Sequence, residues 1–154
     1  MTVVEATGNS TRQTIRAALD AMPQKTVIRP RDMAERIGVS EAELIAATAG
    51  PSGRKIAKRL NPDALSVCRR LPSLGQVMAL TRNQLAVHEK VGTYGNLEGD
   101  NQVAGIYGDQ IDLRLFLQQW QFGFVLDEPM DDSDQRKRSL QFFDARGHLS
   151  LIHI

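Results

Sequence analysis

The sequence predicts an α+β domain, with N-terminal helices followed by an antiparallel β-sheet meander. Two changes along the chain carry that expectation. Apolar residues recur at helical spacing as far as Pro72, and from Gly75 onward the period falls to 2, with β-branched and aromatic residues between Gly and Asn punctuation. The strands so marked follow one another too closely for crossover helices, which leaves antiparallel pairing. At 154 residues, with 42% hydrophobic and 24% charged, the chain supports one core and not two. Residues 1–72 are then the helical segment and residues 73–148 the sheet of a single domain.

Taken in order, Ile15, Leu19 and Met22 form the first helical stripe, ended by Pro23. Arg31 to Ile37 follows Pro30 as a second helix and stops at Gly38. Ser40 with Glu43 three residues later is a capping box, in which hydroxyl and carboxylate each satisfy an orphan backbone N–H, and it starts a third helix through Leu44 to Ala47. Asn61 and Pro62 repeat the start signal as N-cap and first helical residue of a fourth, running through Leu65 and Val67 and closed by Pro72. Strands are predicted at Gln76 to Arg82, at Leu85 to Lys90 as its hairpin partner across Asn83, and at Val103 to Tyr107. Others follow at Ile111 to Leu117, Phe122 to Leu126 and Arg138 to Phe143, with Glu128 to Asp134 as an acidic surface loop. Gly92, Gly95 and Gly99 read as turn glycines.

Several function classes are excluded early. A formal net charge of +1 gives no field for nucleic acid or an anionic membrane. The lone Cys68 cannot form an internal disulfide, and Met1 to Ala21 lacks the features of a secretory signal, so a reducing cytoplasm is the expected compartment. No apolar run approaches the roughly 20 residues that span a bilayer. There is no zinc-spaced Cys or His cluster, no phosphate loop opening a helix and no nucleophile elbow. The stretch from Arg29 to Leu44 has the rhythm of a helix-turn-helix DNA reader. Its second helix, however, opens with Ser40, Glu41 and Glu43, which would set carboxylates against phosphates.

Three strings hold the remaining chemistry. In Ile111 to Phe116 the period of 2 puts Ile111, Leu113 and Leu115 on one face and Asp112, Arg114 and Phe116 on the other. The second face sets a guanidinium beside an aromatic ring, which suits a flat, apolar, anionic ligand; amphipathic alternation is also the ordinary design of a solvated strand. From Leu85 to Lys90, His88 shares the more polar face with Lys90, either as a surface residue or as an auxiliary contact. In Arg138 to Phe143 apolar residues fall on both faces, as in a central strand. The run Arg136, Lys137 and Arg138 reads as a solvated turn and Trp120 as a packing anchor.

Together the strings TRNQLAVHEKVGTY, IDLRLFLQQW and RSLQFFDARG resemble the first half of the bacterial cytoplasmic haemin-utilisation proteins of the HemS/ChuS type. In that family two similar halves hold one haem between them. The resemblance implies haem as the ligand, with import proteins or a haem oxygenase as further partners. By matching position, Arg114 reaches over the distal side of the ring as the catalytic residue, and Phe116 lines the same pocket. His88 is at most an auxiliary contact. No metal ligand is expected in this chain, because the main axial histidine of the family belongs to the second half. Whether such proteins degrade haem or only carry it is left open by the resemblance.

Family members are roughly twice this length, and their first half continues with another strand and a closing helix. Leu149 to Ile154 departs from their pattern, and one reading frame of a transposon end used in preparing sequencing libraries translates to the same hexapeptide. Residues 149–154 are therefore expected to be a non-native tail, with an open sheet edge and self-association as consequences.

Overall fold

The computed structural model describes residues 9–22, 28–48, 56–60, 63–130 and 134–153. Helix α1 spans Asn9–Asp20, α2 Pro30–Ile37 and α3 Glu41–Thr48. Pro30 opens α2 as its first residue, and Gly38 ends it in the left-handed region at φ 79°, donating to the Ala34 carbonyl at 2.9 Å. The capping box forms as expected: Ser40 donates its backbone N–H to the Glu43 carboxylate at 2.8 Å, and Glu43 donates to the Ser40 hydroxyl at 3.2 Å. Pro23 lies outside the described residues.

The helical segment is interrupted by strand β1, Ile56–Arg59, where the sequence predicts only helices. Four residues are too short for periodicity to register, and pairing with a distant strand fixes them. Helix α4, Ala64–Arg69, is capped by Asp63, which accepts from the Ser66 backbone N–H at 3.0 Å; the predicted cap at Asn61 and Pro62 lies outside the described residues. Pro72 does not terminate α4. It sits at the start of a 3-10 turn, Leu71–Leu74, which needs no N–H from its first residues.

Strands β2, Gln76–Arg82, and β3, Val87–Thr93, form the predicted hairpin. Asn83 shapes its turn, its side-chain oxygen accepting from the N–H groups of Leu85 and Ala86 at 2.8 and 2.9 Å. Then come β4, Asn96–Gly99, β5, Ala104–Tyr107, and β6, Leu113–Leu115. Gly95 and Gly99 therefore bracket a strand rather than mark a loop, and β6 is shorter than predicted because Leu117–Gln119 turns into a 3-10 helix. Strands β7, Phe122–Pro129, and β8, Arg136–Phe143, extend past their predicted ends, so Arg136, Lys137 and Arg138 are strand and not turn. Arg136 and Arg138 both reach the Asp127 carboxylate across the ladder, which is what keeps the basic run in the strand.

All the paired strands are antiparallel and divide between two sheets, one in the order β1-β7-β8-β9-β2-β3 and one in the order β4-β5-β6. The last strand, β9, is Leu149–His153. Whatever its origin, the segment set apart in the sequence as a tail supplies, through Leu149–His153, the strand that joins β8 to β2, with Leu149 and Leu151 buried.

Three layers result. Ile15, Ala34, Leu44 and Ala47 bind α1, α2 and α3 to one another. Ala42 and Ile45 of α3 pack on Phe122, Phe124, Leu126 and Phe143 of the large sheet. The opposite sheet face, with Val77, Ala79, Phe142 and Leu151, meets Ala104, Ile106, Ile111 and Leu115 of the small sheet and Leu65 and Cys68 of α4. Trp120 stacks on Phe142 with ring centroids 4.2 Å apart and donates its indole N–H to the Ser150 hydroxyl at 2.9 Å. It is the packing anchor expected. Strand β8 is central and covered on both faces, as its sequence predicts.

Candidate functional site

Period 2 in Ile111 to Phe116 produces the predicted division of faces. Ile111 and Leu115 are buried and Leu113 half-buried against the core, while Asp112, Arg114 and Phe116 are exposed. Strand β6 pairs with β5 so that Arg114 stands opposite Gly105, Leu113 opposite Ile106 and Leu115 opposite Ala104. Arg114 and Gly105 therefore share the outward face of the small sheet. No carboxylate among the described residues forms an ion pair with Arg114.

The same outward face carries residues that the sequence did not single out. Val103, Gly105 and Tyr107 alternate along one side of β5, while Ala104 and Ile106 point into the core. Val103, Tyr107 and Phe116 are 42%, 51% and 55% exposed, so apolar and aromatic side chains share this face with Arg114 and Asp112. Tyr107 folds back along its own strand: a Cβ on Gly105 would lie 2.5 Å from both Cζ and the phenol oxygen. The missing side chain at Gly105 is the space this ring fills. On the β4 side, Glu98 faces Gly105 across the ladder. The alternation V-x-G-x-Y, apolar inside and open outside, was the signal for this strand face.

His88 lies elsewhere. It pairs with Thr81 across the β2–β3 hairpin and lines a concavity of about 250 Å³ with Thr81, Lys90, Gln110, Asp112 and Leu113. Asp112 and Leu113 connect this groove to the Arg114 strand, but Arg114 and Phe116 are not part of its lining. The sequence's pairing of His88 with Lys90 on one face holds.

A concavity of about 550 Å³ contains none of the predicted site residues. It lies where the α2–α3 turn, the β2–β3 turn and the β8–β9 turn meet. Several of its charges pair with one another: Arg31 with Glu35, Arg82 with Glu41, and Asp144 lies 3.8 Å from the His148 imidazole, while the Arg146 guanidinium in the same lining has no such partner among the described residues. The α2–α3 pair is equally occupied, since Ala42, Leu44, Ile45 and Ala47 of α3 are buried on the sheet and on α1 and α2. A helix-turn-helix needs an uncovered recognition helix, and α3 is not one. Among the described residues there is no group of three or more metal-ligating side chains, and no helix long and apolar enough to cross a membrane.

Fold and surface thus define a three-layer α+β domain whose small sheet carries Val103, Tyr107, Phe116, Asp112 and Arg114 exposed on its outward side. The family model for the haemin-degrading HemS.ChuX domain matches residues 38–153, and the chain belongs to that family. It is 42% identical over 118 residues to the hemin transport protein HmuS of Yersinia pestis, covering 76% of this chain and 32% of that protein. It superposes on holo-PhuS, a heme-binding protein from Pseudomonas aeruginosa, with a TM-score of 0.80 and 35% identity, covering 92% of this chain and 40% of that one. The heme degrading enzyme ChuS of Escherichia coli O157:H7 gives 0.78 and 30%, covering 93% of this chain and 41% of that one. The chain spans about a third of the length of the curated relatives it matches. The fold class and family expected from the three strings are both borne out.

Proposed function

We propose that this chain is the distal half of a haem site in a cytoplasmic protein of haem-iron utilisation, with Arg114 and Phe116 as its ligand-facing residues. The observation that carries the reading is the Arg114 guanidinium, unpaired among carboxylates and set in an exposed apolar face. These residues fit haem on physical grounds. A porphyrin is flat and apolar with anionic edges, and it needs aromatic area for its face and a fixed hydrogen-bond donor above its centre. The open face of β5 and β6 offers both, and Gly105 keeps it level.

When bound, haem supplies an iron centre able to exchange electrons and take axial ligands. Phe116 packs on the ring and excludes water. Arg114 donates hydrogen bonds into the space above the ring. His88, in its separate groove, is an auxiliary contact at most. By the same resemblance, the histidine that would hold the iron is expected in a second repeat; this chain covers 32% of the HmuS sequence it matches. Haem-import proteins and a haem oxygenase are the partners this role calls for.

Haemin titration followed by visible absorbance tests the proposal. The expected result is a saturable spectral change with weak affinity; a spectrum that stays that of free haemin at every protein concentration contradicts it. A carrier and a degrading enzyme separate under reductant and oxygen, because only the enzyme bleaches the bound absorbance.

A further inference from the structure

We infer that Tyr107, laid back over Gly105, is the stacking floor of the ligand site: a second porphyrin-face contact beside Phe116, at a position the sequence resemblance does not point to. The inference rests on the haem reading above and adds to Phe116 a second residue that contacts the ring. Tyr107 is 51% exposed although its hydroxyl end rests on the backbone of its own strand, so the ring presents area outward instead of a protruding oxygen. Gly105, over which it lies, is the cross-strand partner of Arg114. Ring and guanidinium therefore occupy neighbouring positions of one level surface, with Val103 and Phe116 extending it.

Such a surface suits a large planar π-system, since offset stacking of aromatic faces adds to what burial alone contributes. Charge is mixed around the ring: Arg114 stands opposite Gly105 on β6, Asp112 shares the face of Arg114, and Glu98 stands opposite Gly105 on β4. Arg114 is the position that attracts an anionic group of the ligand. The phenol makes no hydrogen bond to the described residues, which leaves packing as the contribution of Tyr107.

The glycine makes the inference testable without touching the core. A methyl at residue 105 would collide with the far end of the Tyr107 side chain, which is free to swing outward, and not with backbone. Metal-free protoporphyrin IX is the decisive probe, because it offers the ring without the iron. By fluorescence titration, Tyr107→Ala and Gly105→Ala are expected to weaken its binding roughly fivefold to tenfold, the range that loss of one stacked ring gives. Tyr107→Phe is expected to bind like the parent, and thermal melting is expected to show all three variants folded. Parent-like affinity in Tyr107→Ala would overturn this inference alone and leave the Arg114 site standing. Weakening in Tyr107→Phe equal to that in Tyr107→Ala would overturn it in favour of a role for the phenol oxygen. If the parent binds neither haemin nor the metal-free ring, the haem reading falls and this inference with it.

Discussion

Arg114 and Gly105 are cross-strand partners at the centre of the small sheet's open face, and the absence of a side chain on one determines what surrounds the other. With no Cβ at residue 105, the Tyr107 ring lies over the strand position opposite Arg114. Four expectations follow from this arrangement and from the packing that supports it.

Trp120 anchors the connection between β6 and β7 to the large sheet through its stack on Phe142 and its hydrogen bond to Ser150. Trp120→Ala removes a buried ring and leaves the Ser150 hydroxyl without its donor. A loss of about 3 to 5 kcal/mol is expected from denaturant unfolding, the range for an aromatic deleted from a core. A loss below about 1 kcal/mol would show that the stack is not a structural anchor.

Cys68 is fully buried, and burial pushes its thiol up to about 12 from an ordinary 9.0. A raised pKa means that the folded state keeps its proton where the unfolded state gives it up. The Cys68 contribution to stability is therefore whole below pH 9.0 and is lost as pH climbs toward about 12. The native protein is expected to resist thiol alkylation at neutral pH, and Cys68→Ala to flatten the alkaline side of the stability curve. Rapid alkylation under native conditions would contradict the burial.

Strand β3 is an edge of the large sheet and exposes Val87 and Val91 at 59% and 55%, with Leu85 of the preceding turn at 95%. Such an edge offers unpaired backbone groups beside apolar side chains. Concentration-dependent association is expected in sedimentation, and Val87→Lys with Val91→Lys should suppress it. A single monomeric species over the whole concentration range would remove the edge as an interaction surface.

Legibility in the sequence followed the length and regularity of each element. The capping box at Ser40 and Glu43, the helix stop at Gly38 and the hairpin of β2 and β3 were readable because each depends on residues close together. Strands β1 and β4 were not. Each has only four residues, one lies among helices and the other between glycines, and distant partners hold both. Strand β9 was hidden differently: its alternation is that of a strand, but its place between β8 and β2 is a long-range fact. The outward face of Arg114 and Phe116 was legible because period 2 in six residues suffices. Tyr107 was missed because a tyrosine ending a strand gives no sign that it folds back over a glycine two residues earlier.

The most direct measurement is the visible spectrum of haemin bound to Arg114→Ala, beside the parent and His88→Ala. The account predicts that Arg114→Ala alters the bound spectrum or weakens binding roughly tenfold, the size of one lost charge-assisted hydrogen bond, while His88→Ala leaves both unchanged. An Arg114→Ala protein indistinguishable from the parent in spectrum and affinity would contradict the site.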